Sequence, residues 1–367
     1  MALSDISSDP VLIIGGGIIG LSIGWQLARQ ERSVIILEKE LAGRQASWVA
    51  AGMLAPFSEA GFEELTLGEM AFSFYPRFLE ELEEDSGEQV VLEGKGTLFV
   101  ALNQSDRKWL EWIYAFKESR GLPLQWLEED ELRAKEPLLS PRVVGGIWLP
   151  TERQIHHRRL IEALKRAFLS RGGILRERVE VAEILQEKEC FRGVRLKTGE
   201  EIGSPIGVLA AGAWSSRFCK EIRPVKGQIV SAHSNRYQLS HMIRTPRVYL
   251  AQKNDGTMRV GATSEEKGFD GTPYCGAALQ ILQSAFEIFP AIEEFAFDGL
   301  EASFRPMSKT DLPIIQKSAI EGFHLAIGHG RGGILFAPYT AYKTVRGIYG
   351  NQSEWSSNDS SPAANFG

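Results

Sequence analysis

Three glycines near the start of the chain have the spacing of a dinucleotide-binding turn. Gly15, Gly17 and Gly20 form the pattern G-x-G-x-x-G, and Glu38 follows 18 residues after the last of them. In such a turn the first glycine permits a tight bend, the second lets the backbone approach a pyrophosphate, and the third lets a helix pack closely on a strand. A carboxylate at about that distance accepts hydrogen bonds from ribose hydroxyls. The spacing therefore predicts a site for NAD or FAD; the alternative is a tight structural turn without a ligand.

A second glycine-rich turn, GHGRGG at residues 328–333, lies near the other end of the chain. Apolar residues recur in steps of three and four over residues 334–349, which predicts a helix that starts at this turn. A helix N-terminus offers free N–H groups and the positive end of the helix dipole to an anion. A flavin has two places suited to such a terminus, the pyrophosphate and the N1–C2=O edge that becomes negative on reduction. Two glycine-rich helix starts therefore favour FAD over NAD; the alternative is an ordinary turn and cap.

The elements around the first turn fit the strand–turn–helix–strand unit that the motif requires. Residues 11–14 and 34–37 are all-apolar, as expected for strands buried on both faces of a parallel sheet, and residues 21–30 between them predict a helix. Further strands are predicted around Val179 and Val181, at residues 208–215 and at residues 323–327. In the C-terminal helix, Pro338 is compatible only with the first turn, where its missing N–H costs little.

The rest of the chain predicts a second, α+β unit. Its expected elements are β-hairpins at residues 90–102 and 247–263, a helix at residues 277–289, and two helices with a solvated face in the acid-rich run 59–88. His156 and His157 have no Cys or acid at metal-ligand spacing, so they predict a helix start rather than a metal site. A length of 367 residues suggests two or three structural units.

Composition excludes several classes of protein. The chain has 47 acids and 41 bases, a formal charge of −6, which carries no electrostatic footprint for nucleic acid. Cys190, Cys219 and Cys275 are too few and too scattered for a disulfide framework or a metal site, so we expect buried free thiols in a reducing compartment. The longest apolar run, residues 11–23, is shorter than a membrane span and is interrupted by four glycines.

We expect no targeting signal at the start of the chain and no ordered element at its end. Residues 1–9 contain two acids and no base, whereas a secretory signal has a basic start, so we do not expect one there. Residues 351–367 are rich in Ser and Asn and lack periodicity, which predicts a disordered tail. We therefore expect a cytoplasmic protein without a membrane span.

Five stretches of the chain share their order and spacing with one enzyme family. They are VLIIGGGIIG at 11–20 with Glu38, AAGMLAP at 50–56, IRPVKGQ at 222–228, SFRPMSKTDLPII at 303–315 and GHGRGGILFAP at 328–338. In these stretches the chain resembles the D-amino acid oxidase/glycine oxidase group of FAD-dependent amine oxidoreductases. Within that group it most resembles the glycine oxidases of bacterial thiazole (thiamin) synthesis.

The resemblance implies which residues hold FAD. The pyrophosphate would lie against Gly15, Gly17, Ile18, Ile19 and Gly20, with Ala46 and Ser47 beside it, and the ribose would lie near Glu38 and Lys39. The isoalloxazine ring would run along Ala51, Gly52 and Met53, the adenine would meet the backbone of Val181, and Gly212 would also lie at the cofactor. The pyrimidine edge of the flavin would face the backbone N–H groups of His329, Gly330, Arg331, Gly332, Gly333, Ile334 and Leu335. Sarcosine oxidases of the superfamily hold flavin through a cysteine after the Arg-Pro step. Residues 307–315 contain no cysteine, so FAD is expected to be non-covalent.

The resemblance also implies three residues on the substrate side. Arg305 matches the arginine that pairs with the substrate carboxylate, Tyr249 a tyrosine that helps to place the substrate, and Arg331 a second arginine. A guanidinium binds a carboxylate through two hydrogen bonds, which fixes orientation as well as charge. The alternatives are a structural salt bridge for Arg305, half-buried packing for Tyr249, and a contact to reduced flavin or a carbonyl cap for Arg331.

Several positions depart from the family pattern near the substrate pocket. Ser303 and Gln316 stand at positions where the family often has glycine, and Gly332 stands where it commonly has asparagine. Residues 250–253 lack the proline that is usual there, and Ser264 corresponds to a methionine of the substrate pocket. The alternatives to glycine as the substrate are therefore a larger amino acid and an N-methyl glycine.

These observations predict the fold class: an α/β protein with a Rossmann-type FAD-binding domain and a second α+β substrate domain built on an antiparallel sheet. The FAD-binding domain is expected at residues 1–92, 146–225 and 302–350, and the substrate domain at 93–145 and 226–301.

The expected function is oxidation of glycine or another small amine to a 2-oxo acid, ammonia and hydrogen peroxide, with dioxygen as acceptor. One alternative is a D-amino acid or sarcosine oxidase or dehydrogenase that uses a carrier instead of oxygen. Another is a flavin-binding protein without turnover, and a third is an aromatic hydroxylase. A homo-oligomer is expected, since most soluble oligomers are built from copies of one chain.

Overall fold

The computed structural model describes residues 9–58 and 65–350, and elements are numbered in chain order within them. The strands are Val11–Ile14 (β1), Val34–Leu37 (β2), Met53–Leu54 (β3), Leu92–Glu93 (β4), Thr97–Ala101 (β5), Gln125–Leu127 (β6), Gly145–Leu149 (β7), Arg153–Ile155 (β8), Ile174–Arg176 (β9), Val181–Glu187 (β10), Cys190–Leu196 (β11), Glu201–Gly203 (β12), Gly207–Leu209 (β13), Arg223–His233 (β14), Met242–Arg244 (β15), Tyr249–Gln252 (β16), Thr257–Gly261 (β17), Ala296–Met307 (β18), Ile314–Lys317 (β19) and Phe323–Ile327 (β20). The α-helices are Ile18–Arg29 (α1), Ala46–Val49 (α2), Leu65–Ser73 (α3), Tyr75–Ser86 (α4), Gln104–Glu118 (α5), Glu129–Lys135 (α6), His157–Ser170 (α7), Cys275–Ile288 (α8) and Gly333–Tyr349 (α9). Gly212–Arg217 and Pro290–Glu294 form 3₁₀ turns.

A six-stranded sheet carries both glycine-rich turns. Its order is β19-β20-β13-β1-β2-β9, and every pair is parallel except β19 with β20. The carboxyl ends of β1, β2, β13 and β20 therefore meet at one edge, as expected for a parallel sheet that binds a ligand there. All four residues of β1 and of β2 are buried, because both faces of the sheet are covered. Apolar side chains of α1, α7 and α9 cover one face, and those of the three-stranded sheet β10-β11-β12 cover the other.

An eight-stranded sheet forms the second unit. Its order is β18-β14-β17-β16-β15-β5-β7-β6, antiparallel throughout except for β15 with β5. The predicted hairpin at 247–263 is confirmed as β16 and β17, and the predicted helix at 277–289 is confirmed as α8. The expected α/β class with a second, largely antiparallel sheet is therefore confirmed. β7 and the whole of β18 pair within this sheet, so it extends past the predicted domain boundaries at 146 and 302; the division into domains stays a proposal.

The predicted hairpin at residues 90–102 is wrong. β4 pairs with β8 in a small sheet, whereas β5 pairs with β7 and β15 in the eight-stranded sheet. All five residues of β5 are buried, as in a central strand, rather than alternating as in a half-exposed hairpin. At Gly96, with φ +108°, the chain passes so close to β7 that a β-carbon would lie 2.5 Å from the Leu149 carbonyl oxygen.

Two other strand predictions need correction. The strand predicted around Val179 is β9, which ends at Arg176, and the Val179 N–H instead bonds to the Glu38 carbonyl at 2.8 Å. The strand predicted at 208–215 ends at Leu209, since a 3₁₀ turn opens at Gly212 with φ +54°.

The predictions for the histidine pair, the acid-rich run and the cysteines have different outcomes. The helix start at His156 is confirmed, because its side chain caps α7 through the Arg159 N–H. Within the acid-rich run, α3 and α4 are the two predicted helices, whereas residues 59–64, like the predicted tail at 351–367, lie outside the described residues. The expectation of buried thiols is wrong: Cys190 and Cys219 are half-buried and Cys275 is exposed at the start of α8.

Residues 9–58 and 65–350 contain neither a candidate membrane-spanning helix nor a candidate metal cluster. None of the helices there is both long and apolar enough to cross a membrane. No group of three His, Cys, Asp or Glu side chains there is arranged to hold a metal ion.

Pro338 lies inside α9 and not in its first turn as predicted, since the helix begins at Gly333. A residue with an N–H at this position would bond to the carbonyl of Ile334, four residues earlier. The Tyr75 hydroxyl from α4 donates to that carbonyl instead, at 2.5 Å. Burial raises the pKa of Tyr75, so the hydroxyl keeps the proton that it donates. A distant tyrosine thus replaces the missing backbone donor.

We predict that Tyr75→Phe lowers the free energy of unfolding by about 1–3 kcal/mol, because the buried Ile334 carbonyl loses its donor. Urea denaturation measures this loss. In a Pro338→Ala background the alanine N–H supplies the missing donor, so the same substitution should cost much less. An equal cost in both backgrounds would show that the tyrosine does not compensate for the proline.

Candidate active site

A cleft of about 490 Å³ runs between the carboxyl edge of the six-stranded sheet and one face of the eight-stranded sheet. The predicted site residues that line it are Gly15, Gly17, Ile18, Ile19, Glu38, Lys39, Ala46, Ser47, Ala51, Gly52, Met53, Val181, Gly212, Tyr249, Arg305, His329, Gly330, Arg331, Gly333 and Ile334. Residues that lie more than 300 positions apart in sequence therefore share one cavity.

Three of the predicted cofactor residues do not line the cleft. Gly20 faces back into the fold, where a β-carbon would lie 1.9 Å from the Gly15 carbonyl oxygen. Leu335 packs in the hydrophobic core. Gly332 caps α9, and its N–H bonds to the His329 carbonyl at 2.9 Å. The Gly330 N–H also bonds within the protein, to the Pro306 carbonyl at 2.9 Å, so neither of these two N–H groups faces the cleft as predicted.

The buried carboxylate of Glu38 stands at the edge of the cleft. Its Oε2 accepts the Gly16 N–H at 2.8 Å and its Oε1 accepts the Glu40 N–H at 3.0 Å. Burial raises the pKa of Glu38, and the two backbone donors oppose that shift. Each oxygen keeps a further lone pair for a hydroxyl. The geometry fits the predicted ribose contact, and the bond to Gly16 also fixes the glycine turn.

The N-terminus of α1 opens onto the cleft. The first bond of the helix runs from the Leu21 N–H to the Gly17 carbonyl, so the preceding N–H groups have no partner within the helix. The Ser47 hydroxyl accepts the Ile18 N–H at 3.0 Å. At Gly17 a β-carbon would meet nothing nearer than that hydroxyl, at 3.5 Å, so the backbone there is open to a close ligand.

The N-terminus of α9 faces the same cleft. Its first helical bond joins the Phe336 N–H to the Gly332 carbonyl. His329 beside it is buried and bonded through Nε2 to the Thr340 hydroxyl at 2.9 Å. Burial lowers the pKa of His329 to about 3, so this side chain is neutral at physiological pH. Two helix N-termini and a buried carboxylate on one cleft fit FAD, which has an anionic pyrophosphate, a ribose and an electron-accepting ring.

Arg305 lies flat on a glycine of the neighbouring strand. A β-carbon on Gly227 would be 2.6 Å from Cζ, Nη1 and Nη2 of the guanidinium. Nη1 donates to the Thr263 carbonyl at 2.9 Å, which fixes the plane of the group. Among the described residues no carboxylate pairs with Arg305, so the structural salt bridge considered above is absent there. A half-buried, oriented cation therefore lines the cleft.

Tyr249 lies over a second glycine of the same sheet. It stands directly opposite Gly261, and a β-carbon there would be 2.6 Å from the tyrosine Oη. Gly261 pairs with Ile229, which is two residues from Gly227 on β14. From strand spacing, Gly227 and Gly261 lie roughly 7–8 Å apart on one face of the sheet, with the Arg305 guanidinium over the first and the Tyr249 hydroxyl over the second. That gap suits a small molecule with a carboxylate.

Gly227 and Gly261 were not among the predicted site residues, although glycine inside a strand is a signal of close approach by another group. Arg244 was not predicted either; it stands opposite Tyr249 on β15 and lines the cleft. Two positions that depart from the family pattern, Ser264 and the buried Ser303, line the cleft as well. Arg331 is exposed at its rim.

We predict that Gly227→Ala displaces the Arg305 guanidinium and raises the KM for an amine substrate about 10- to 100-fold, because the added methyl group occupies the place of that side chain. FAD binding should not change. Gly271→Ala is the matched control, since its β-carbon would meet only the Phe304 ring at 3.6 Å. Equal KM values for both variants and the wild type would contradict the predicted contact.

Comparisons with known proteins find relatives along most of the chain. A family model described as FAD dependent oxidoreductase matches residues 10–346. Glycine oxidase of Geobacillus kaustophilus is 31% identical over 90% of this chain and 90% of its own length. The bifunctional protein ThiO/ThiG of Trichormus variabilis is 32% identical over 90% of this chain, which spans only 51% of that relative. The crystal structure of the Geobacillus enzyme superposes with a TM-score of 0.88 at 29% identity, covering 93% of this chain and 95% of that one.

Proposed function

The chain belongs to the DAO family of FAD-dependent oxidoreductases, and from that premise we propose that it oxidises glycine or another small amine that carries a carboxylate. The observation that carries the proposal is Arg305, an oriented guanidinium in the cleft without a carboxylate partner among the described residues. The similarity to glycine oxidases along nearly the full chain supports the same substrate class.

Each side chain then has a defined task. Arg305 binds the substrate carboxylate through two donors, and the Thr263 carbonyl holds the guanidinium in place. Tyr249, with its hydroxyl over Gly261, positions the substrate from the adjacent strand. The chain thus supplies binding and orientation; FAD, when bound, accepts the two electrons of amine oxidation and delivers them to an acceptor.

The residues proposed to hold FAD are those that line the cleft on the side of the six-stranded sheet. The α1 N-terminus and Ser47 would meet the pyrophosphate, Glu38 the ribose, and the α9 N-terminus the ring edge. The cofactor is proposed to be non-covalent, because no cysteine among the described residues lines the cleft. Arg331, exposed at the rim, is proposed as a secondary contact of the substrate or the ring.

For glycine, the proposed reaction converts the amine, dioxygen and water into glyoxylate, ammonia and hydrogen peroxide. We further propose that the product feeds thiazole synthesis, which the ThiO/ThiG relatives support through their names. Because the chain spans half of those relatives, nothing of their second unit is carried over.

Product analysis in air tests the proposal. The purified protein is incubated with glycine, sarcosine and a panel of D-amino acids, and the 2-oxo acid, ammonia and peroxide are measured. Equal amounts of all three from glycine are expected. Oxidation only with an added electron carrier, and no peroxide, would favour a dehydrogenase. Turnover of sarcosine or D-amino acids but not of glycine would assign the enzyme one of those substrates instead. No turnover would favour a flavin-binding protein without activity.

A further inference from the structure

The short helix α2 ends in two carbonyl groups that side chains from other elements hold in place. The Trp48 carbonyl accepts from Nε of Arg158 at 3.3 Å and bonds to Nε2 of His157 at 3.0 Å. The Val49 carbonyl accepts from Nη2 of Arg259 at 2.9 Å. The last carbonyls of a helix have no partner within it, so these donors fix where α2 stops.

Both arginines are held by the same carboxylate. Nη2 of Arg158 donates to each oxygen of Glu301 at 2.8 Å, and Nη1 of Arg259 also donates to Oε2. The Ser231 hydroxyl donates to Oε2 at 2.9 Å. Glu301, on β18, is therefore the centre of a network that reaches α7 through Arg158 and β17 through Arg259.

The network joins the two sides of the cleft. On one side, α2 carries Ser47, which accepts the Ile18 N–H at the start of α1, and leads to the cleft-lining residues Ala51, Gly52 and Met53. On the other side, Glu301 lies four residues before Arg305 on one face of β18, since alternate residues of a strand share a face.

The charge of Glu301 is needed for this arrangement. Burial by itself would raise its pKa, but the Arg259 and Arg158 guanidinium groups hold the pKa below its ordinary value, so the carboxylate is ionised at neutral pH. Arg259 is only 5% exposed. Without the carboxylate, two guanidinium groups would face each other with their charges uncompensated, which is costly for a buried ion.

We propose that Glu301 is a positioning residue, whose carboxylate fixes the α2 segment and the residues that follow it relative to the strand that carries Arg305. This inference rests on the proposed function for its kinetic consequence. The α2 segment is the proposed wall of the FAD site, and Arg305 is the proposed substrate anchor. Glu301 therefore sets the position of the bound amine relative to the cofactor without touching either.

Glu301→Gln tests the proposal because it should change the position of the bound amine relative to FAD without changing how tightly Arg305 binds a carboxylate. We expect the dissociation constant of FAD, measured on the apoprotein by quenching of flavin fluorescence, to rise about 10-fold. The rate constant of flavin reduction at saturating amine should fall about 10- to 100-fold, since a shift of about 1 Å costs a factor of that size. The dissociation constant of glycolate, a carboxylate probe read from the flavin spectrum, should stay within about twofold, because Arg305 keeps its own contacts on Gly227 and Thr263.

Matched variants separate this role from general destabilisation. Glu200→Gln removes a similar two-bond ion pair, with Arg176 at 2.8 and 3.0 Å, away from the cleft and should change none of these quantities. If Glu301→Gln does not fold, Arg158→Gln removes one half-exposed arm of the network and should show the same pattern with smaller changes.

The proposal is overturned if FAD affinity and reduction rate stay within twofold of the wild type. It is also overturned if glycolate affinity falls in parallel with the rate, which would indicate disorder of the whole strand. A wild-type protein that no amine reduces would contradict the proposed function instead, and the FAD dissociation constants would still test the role of Glu301.

Discussion

Arg305→Ala is expected to raise the KM for the amine substrate about 100- to 1,000-fold, because truncating one partner of a buried, hydrogen-bonded charge pair costs about 2–5 kcal/mol. The guanidinium is oriented by the Thr263 carbonyl and lies against Gly227, and alanine at position 305 has no donor to replace it. Steady-state kinetics with glycine and related amines measure the change.

The flavin spectrum and FAD affinity of this variant should match those of the wild type, since the residues proposed to hold the cofactor lie on other elements. Arg305→Lys is the control that keeps the charge but loses the paired donors, and it should fall between alanine and the wild type. A KM for the alanine variant within about threefold of the wild type would show that the carboxylate binds elsewhere.

The second large effect is expected at the first glycine turn. In Gly20→Ala the new methyl group would lie 1.9 Å from the Gly15 carbonyl oxygen, which is backbone and cannot rotate away. α1 must then shift from β1, so the free energy of unfolding should fall by about 2–4 kcal/mol and FAD binding should be lost or weakened more than 10-fold.

Gly276→Ala, at the second position of α8, is the matched control for this variant. Nothing lies within 4 Å of the β-carbon it would add, and alanine favours the helix. Its stability should therefore equal or exceed that of the wild type. Equal stability of Gly20→Ala and the wild type in urea denaturation would contradict the close packing seen at the turn.

The parts of the fold that the sequence predicts correctly are those that local patterns determine. The all-apolar runs at β1 and β2 and the glycines between them define one unit within 27 residues, from Val11 to Leu37. Their role follows from short-range requirements, a tight bend and a free helix N-terminus, which a motif can encode.

Two of the errors, at residues 90–102 and at Pro338, have a common cause, since both depend on partners distant in the chain. Residues 90–102 contain two strands with turn residues between them, yet the strands pair with different sheets. Pro338 is tolerated inside α9 only because Tyr75, 263 residues earlier, supplies the missing donor. No local pattern contains either fact.

In the candidate site, too, some residues can be identified from the sequence and others only from the folded structure. Arg305 and Tyr249 were identified through a family resemblance, whereas the glycines that support them, Gly227 and Gly261, become meaningful only when the strands are placed side by side. The Glu301 network joins residues from five elements: α2, α7, β14, β17 and β18. In the sequence, nothing distinguishes its two arginines from ordinary surface charges.

The most direct test of the central claim, that this chain oxidises a small amine with its flavin, is an anaerobic mixing experiment. The FAD-loaded protein is mixed without oxygen with glycine, sarcosine and a panel of D-amino acids while the visible band of oxidised flavin is followed. We expect glycine or another small amine to bleach the band, and air to restore it with formation of one hydrogen peroxide per flavin. A flavin that dithionite bleaches but no amine does would contradict the claim.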